Sequence, residues 1–498
     1  MDLIPLDTLA AGALAVVQPE VLLWTLIGVL IGFVFGAAPG LTATTGVAIA
    51  TPLTFGAGFD VAMALLLGIY AAGYFAGSIP AILINTPGAP GNAATALDGY
   101  RLARAGKADL AISLAVMASA VGGVISLLIL MVAAPNLASF ALAFTSVEYF
   151  ALGLFGLVCV AAVSGGSLVK GILGAAFGMF LGTLGIDEVG GITRFTFGLP
   201  ELQGGVPLIP TLIAFFAVTE ILLQAGVHQD IAVLPPQQRH PVRRLPGLAL
   251  RHGWLLLKSS LIGTFIGILP GTGPTIAAWI AYGQSQRRKA AADGEDVAAT
   301  RGVIAAESAN NAVTGGALVP LLTLGIPGDT VTAVLIGALL IQGIAPGPFF
   351  IFEHGDLFAQ ILTILLVAAL MTLVLGLGAR RVLPKILAIP PRILLPIIAV
   401  LCAAGGFAIS HAPFEVGLIA VLGIAGYTLA CFNFPMAPIV IGLVLGPIIE
   451  VNLRNGLAAN AMDLTIFITR PISAVLLAAI LMTLAWSTWR ARTTEHDR

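Results

Sequence analysis

The sequence predicts an all-α, polytopic membrane protein of about a dozen transmembrane helices, with inverted repeats and broken or re-entrant half-helices. Three observations lead there. Of 498 residues, 58% are hydrophobic and only 9% charged, and the mean hydropathy is +1.03. A soluble domain carries about 25% charged residues. Second, the apolar runs are interrupted by Pro-Gly pairs flanked with small polar side chains. Proline lacks the N–H and glycine weakens the next turn, so a hydrogen-bonded helix cannot pass through such a pair undisturbed. Backbone freed at membrane depth survives only where protein buries it or where it lines a watery cavity. Third, the interruptions recur in the same order in the two halves of the chain.

Residues 1–20 carry Asp2, Asp7 and Glu20 without Lys or Arg, so they lack the basic n-region of a cleavable signal peptide. An apolar run from Val21 meets the first break at Pro39-Gly40, followed by Leu41, Thr42, Thr44 and Thr45. A second run passes through Tyr70 and Tyr74 to Asn85-Thr86-Pro87-Gly88, and a basic loop with Arg101, Arg104 and Lys107 comes next. Spans are predicted near 109–133, 140–163, 168–185 and 207–225, with a polar segment containing Asp187, Glu188, Arg194 and Glu201 between the last two. Residues 226–252 are proline-rich and basic, as a solvated connector is.

The second half repeats the plan. Gly32-x3-Gly36-x2-Pro39-Gly40 matches Gly263-x3-Gly267-x2-Pro270-Gly271, and Pro80 with Pro87-Gly88 has the spacing of Pro320 with Pro327-Gly328. Pro207-Leu-Ile-Pro210 resembles Pro435-Met-Ala-Pro438. Three correspondences in one order predict an internal duplication. The predicted units are a first membrane repeat (1–225), a basic cytoplasmic linker (226–252), a second membrane repeat (253–472), and a final transmembrane helix with a cytoplasmic tail (473–498). Basic clusters at 101–107, 239–258, 287–301, 380–392 and after Arg490 belong in the cytoplasm by the positive-inside rule. The Pro270-Gly271 segment then enters and leaves on one side, whereas its counterpart at Pro39-Gly40 starts and ends outside. The halves are therefore expected to be inverted, with the N-terminus periplasmic and the C-terminus cytoplasmic.

The strings IYAAGYFAGSIPAILINTPG…ATALDGYRLARAG (69–106), PGLTATTG (39–46) and ESANNAVTGGALVPLLTLGIPGDTVTAVLIGAL…GIAPGP (307–348) closely resemble the large membrane subunit of tripartite tricarboxylate transporters, the TctA type. The resemblance covers nearly the whole chain in order. One mild departure is Phe75-Ala76-Gly77-Ser78, where the family often has a second glycine before the serine. The resemblance implies ion-gradient-driven uptake of a di- or tricarboxylate across a bacterial inner membrane. It also implies two protein partners, a small membrane subunit of about four helices and a periplasmic solute-binding protein. It implies no enzyme activity, no nucleic-acid partner and no cofactor beyond Na⁺ or H⁺ as coupling ion.

The residues support a carboxylate independently. The start of a half-helix offers unpaired N–H groups and a positive dipole end, and small donors follow each break. The expected substrate-binding set is Pro39, Gly40, Thr42, Thr44, Thr45, Pro87, Gly88, Asn92, Gly271, Thr272, Pro327, Gly328 and Thr330, with Thr95, Thr275 and Thr332 as further donors. Any one of these threonines could simply cap its helix. For coupling, the expected set is Asn85, Glu307, Asn310, Asn311 and Asp329, since acids at membrane depth are functional candidates by default. Glu307 has a second reading, a plain ion pair near Arg301 at the cytoplasmic surface.

Other classes fit less well. The six histidines form no ligand-spaced pair and there is no G-x4-G-K-[ST] loop, so neither a metal site nor a nucleotide-driven pump is expected. Cys159, Cys402 and Cys431 lie far apart and read as small core residues. An anion channel, or an organic-anion exchanger that needs no binding protein, is the rival, because half-helix ends also build filters.

Overall fold

The computed structural model describes residues 5–163, 167–225, 238–271, 273–286 and 295–496. Thr272 and residues 226–237 of the predicted linker lie outside these. Among the described residues, nine helices are long and apolar enough to cross a membrane, and the only strands are a two-residue pair, Gly185–Ile186 (β1) with Thr193–Arg194 (β2). The multi-pass, all-α class is as expected. Fewer helices reach full span length than the expected dozen, because the breaks shorten several.

The first half runs Leu6–Val16 (α1), Pro19–Ala37 (α2), Ala43–Ala50 (α3), Phe59–Ala76 (α4), Ser78–Ile84 (α5), Ala93–Arg104 (α6), Ala108–Ala141 (α7), Ser146–Val163 (α8), Leu168–Gly182 (α9) and Leu208–Gln224 (α10). The second runs Gly253–Ile268 (α11), Gly273–Gln286 (α12), Glu295–Leu324 (α13), Thr330–Ile341 (α14), Gly355–Ala379 (α15), Pro391–Ser410 (α16), Pro413–Cys431 (α17), Met436–Ala459 (α18) and Pro471–His496 (α19). Cys159 and Cys402 are buried as expected, but Cys431, the last residue of α17, is exposed.

Small residues let these helices approach at backbone distance, the packing device of membrane helices. The same contacts recur in both halves. A Cβ placed on Gly36 would sit 2.3 Å from the Gly73 carbonyl oxygen, and one on Gly267 would sit 2.9 Å from that of Val313. On Gly88 it would meet the Gly36 carbonyl at 2.3 Å, and on Gly328 that of Gly267 at 2.8 Å. Gly40 and Gly271 both have positive φ, 82° and 75°, which only glycine adopts without strain. The second breaks also match: Asn85 (φ 55°) and Gly325 (φ 69°) are left-handed, and Thr86 N and Ile326 N reach back to the carbonyls of Pro80 and Pro320 at 3.4 and 3.3 Å. Each of those carbonyls belongs to a helix end left open by the break.

The halves are interleaved. α2 lies along α4 and α11 along α13, while α13 makes its most extensive contact with α7 of the first half. Three of the basic segments, 101–107, 239–258 and 380–392, meet one another. Arg380 Nε is 2.8 Å from Asp109 Oδ1, the His240 backbone N–H donates to Asp109 Oδ2 at 2.7 Å, and Gln238 N donates to the Gly106 carbonyl at 2.8 Å. Gln286, beside the third cluster, donates to Asp98 Oδ2 at 3.1 Å. The polar segment 183–207 lies one helix, α10, away from the linker.

Candidate functional site

The breaks meet in two cross-half pairs. In the first, the start of α3 faces the start of α14: Thr44 Oγ1 and Thr330 Oγ1 share a hydrogen bond of 2.8 Å. Thr42 caps α3, its Oγ1 accepting from Thr45 N at 3.3 Å. Thr45 donates its hydroxyl to the Phe216 carbonyl at 3.1 Å. That carbonyl lies in a π-helical stretch of α10, Ile213–Val218, where the wider turn frees backbone acceptors. Pro39 and Gly40 are half-buried at this junction. A Cβ on Gly40 would fall 1.5 Å from Gln224 Nε2 and 2.9 Å from Glu220 Oε1, so the polar end of α10 rests directly on the first break.

Asp329 organises the α14 start. It is the N-cap, joined to Thr332 in a capping box. Its Oδ1 accepts from Thr332 N at 2.7 Å, and its Oδ2 accepts from the hydroxyls of Tyr70 and Tyr74 at 2.6 Å each. Gly328 and Pro327 are buried beneath it, and the Gly328 carbonyl accepts from Gly271 N at 2.8 Å. Gly271 thus closes the two breaks of the second half onto each other.

The second cross-half pair lies where α6 and α12 begin. A Cβ on Gly91 would sit 3.0 Å from Pro274 Cβ and 2.4 Å from Asn310 Oδ1. Asn92 and Asn310 both donate to the Tyr74 carbonyl at 3.1 Å. Tyr74 is therefore held at both ends, by Asp329 through its hydroxyl and by the two asparagines through its carbonyl. Pro87 is half-buried and Gly88 buried, whereas Asn85 is exposed and ends α5 with its left-handed backbone.

Glu307 sits beside this pair, fully buried on α13. Its Oε1 accepts from Thr95 Oγ1 at 2.5 Å and from Asn92 Nδ2 at 3.2 Å, and its Oε2 accepts from Ser119 Oγ at 3.1 Å. Asn311 donates to that same Ser119 Oγ at 2.8 Å. These partners are all neutral and interior, and so Glu307 does not occupy the surface position that pairing with Arg301 required. A buried carboxylate must be satisfied by donors or by a cation.

A cavity of about 820 Å³ opens against the second half's break. Its wall includes Leu324, Gly325, Ile336 and Leu340, and on the far side Arg194 and Glu450. Here the 183–207 segment is clasped to α18. Arg194 Nη1 is 2.7 Å from Glu450 Oε1, and Arg454 Nη1 is 2.7 Å from Asp187 Oδ1. Hydrogen bonding from Arg454 holds the Asp187 carboxyl below the usual carboxylate range.

A model of the tripartite tricarboxylate transporter TctA family matches residues 22–441. The chain belongs to that family. An Agrobacterium vitis protein described as an uncharacterized 52.8 kDa protein in the TAR-I ttuC' 3' region is 36% identical over 484 residues, covering 96% of this chain and 95% of its own length. A second from the same organism, described as an uncharacterized protein in the TAR-II ttuC' 3' region, is 38% identical over 215 residues, 43% of this chain and 89% of its own. No solved structure matches. Family membership makes this TctA-type chain a tricarboxylate-transporter membrane subunit.

Sequence reasoning did not assign roles to Tyr70, Tyr74, Ser119 or the Glu220–Gln224 pair. Glu220 carried a usable signal, an acid within an apolar helix. Ser119 carried none, being one small residue among many on α7.

Proposed function

We propose that this TctA-family subunit carries a di- or tricarboxylate by ion-gradient-driven alternating access, taking it from a periplasmic binding protein and working with a small membrane subunit. The Thr44–Thr330 junction carries this reading: two half-helix starts from different halves point at each other at 2.8 Å, offering N–H groups, hydroxyls and positive dipole ends to an anion. The substrate sits against Pro39, Gly40, Thr42, Thr44, Thr45, Pro327, Gly328 and Thr330, while Pro87, Gly88, Asn92 and Gly271 frame the equivalent pair. The 820 Å³ cavity is its path from the periplasmic side.

The halves are inverted about an in-plane axis, with the basic segments cytoplasmic in the bacterial inner membrane. Coupling rests on the group around Glu307, Asn310 and Asn311. Asp329 fixes the α14 start, and Asn85 contributes backbone at the end of α5.

Uptake in proteoliposomes containing both membrane subunits is the test, scanning carboxylates with binding protein present or absent and imposing Na⁺ and H⁺ gradients separately. Saturable uptake that needs binding protein and gradient is expected, and Thr44→Val should lower it about tenfold, on the order of one lost hydrogen bond. Flux that follows the carboxylate gradient alone would favour a channel. High-affinity exchange by the isolated chain would favour the binding-protein-independent exchanger.

A further inference from the structure

A small cavity of about 20 Å³ lies between α4, α7, α13 and α15, lined by Ala71, Ser119, Asn311, Thr314 and Thr372 among others. That is room for one water-sized body. Its polar wall is made almost wholly of acceptors. The Ser119 hydroxyl proton is committed to Glu307 Oε2 at 3.1 Å and the Thr314 proton to the Asn311 carbonyl at 2.7 Å. The Asn311 amide nitrogen is committed to Ser119 Oγ at 2.8 Å and to the Glu307 carbonyl at 3.3 Å. Lone pairs on Ser119 Oγ, Asn311 Oδ1 and Thr314 Oγ1 are therefore what remains to face a guest. Thr372 Oγ1 is buried with no hydrogen-bond partner among the described residues, an orphan that costs free energy unless something completes it. Directly behind Ser119 stands the carboxylate of Glu307, wholly buried and met by neutral donors.

An anion is repelled by such a wall, and a water, though it would find acceptors for its protons and the Thr372 hydroxyl as a donor, would leave the buried Glu307 carboxylate without a counter-charge. A small hard cation is suited to it, because oxygen ligands without protons to spare are what such ions take. It would also neutralise a charge that is otherwise buried without a counter-ion. We propose that this cavity is a sodium site, with Ser119, Asn311, Thr314 and Thr372 supplying oxygen ligands and Glu307 the counter-charge behind them. The proposal rests on the coupled-transport reading above and names its ion. Because Asn92, which bonds Glu307, also bonds the Tyr74 carbonyl, filling the site would bias the element that carries both helix-start junctions.

The test is direct binding, independent of transport. Thermal unfolding of the purified full chain in detergent would be followed in NaCl, KCl and choline chloride at equal ionic strength. A ligand bound only by the folded state raises its midpoint, so sodium should raise it by about 2 °C or more. Thr372→Val preserves shape and removes one ligand, and Thr314→Val removes another; each should diminish that rise. Thr363→Val, on the same helix with its hydroxyl bonded to the Ala359 carbonyl, should keep it. Equal midpoints in the three salts for the unmutated chain would mean a trapped water only and would overturn the proposal. So would a sodium rise that survives both cavity variants. If sodium binds as stated while uptake shows no gradient dependence, the transport reading fails and the site stands.

Discussion

Tyr74 and Asp329, 255 residues apart, are joined by a 2.6 Å hydrogen bond from phenol to carboxylate, while the Tyr74 carbonyl receives Asn92 and Asn310. One residue thus ties the capped start of α14 to the asparagines beside Glu307. Tyr70 donates to the same carboxylate oxygen. Tyr74→Phe or Tyr70→Phe should each cost about 1.5–3 kcal/mol, the range for a hydrogen bond to a charged group. The double variant should cost more than the sum, since Asp329 Oδ2 would then lose both phenols. Denaturation midpoints of the four proteins measure this, and simple additivity would show that the two phenols do not act on one acceptor.

Backbone contact at the second breaks predicts equal treatment of the two halves. Gly88→Ala and Gly328→Ala each force a Cβ toward a carbonyl, at 2.3 and 2.8 Å, and should destabilise by about 1–3 kcal/mol as overpacking does. Gly283→Ala on α12 meets nothing within 4 Å and should be neutral or gain up to about 1 kcal/mol in helix propensity. Thermal stability in detergent ranks the three. A tolerated Gly328→Ala beside a damaging Gly88→Ala would mean that the halves are not packed alike.

The clasp of segment 183–207 on α18 has a pH signature. Asp187 has its folded-state pKa depressed by Arg454, so its contribution is present above the unfolded value, about 3.9, and is lost as pH falls through the lower folded one. Thiol labelling of Leu202→Cys, a buried position of the clasped segment, corrected for reagent chemistry, should therefore stay low from pH 8 to 5 and rise only in stronger acid. Arg454→Met should raise it already at pH 7. A rise in the parent between pH 8 and 5 would contradict the ion pair's role.

Orientation can be read by the same chemistry in intact cells. Cysteines replacing Arg104 and Arg381 should resist a membrane-impermeant reagent, while one replacing Ile192 reacts. Arg381 and Ile192 are well exposed, at 55% and 63%, so burial cannot explain silence there. External labelling at position 104 or 381 would reverse the proposed topology.

The sequence by itself determined the solvent, the helical class and the places where helices break. Those follow from local chemistry: a Pro-Gly pair interrupts hydrogen bonding whatever surrounds it, and 9% charge leaves too little polar surface for water. The sequence also exposed Glu307 and Asp329 as acids in apolar runs, and the 231-residue offset of Gly36 and Gly267 is visible by inspection. It could not say which break faces which. Thr44 meets Thr330 across 286 residues because α13, while still packed on α11 of its own half, also lies along α7 of the first, and nothing local encodes that choice. Nor could it separate the two acids. Asp329 fixes a helix start, while Glu307 lies by a small cavity of acceptors, a difference that depends on Tyr70, Tyr74 and Ser119 arriving from other helices. The Tyr74 carbonyl is available to the asparagines because α4 ends two residues later, at Ala76, leaving its last carbonyls open. Tertiary packing alone decides what fills such an opening.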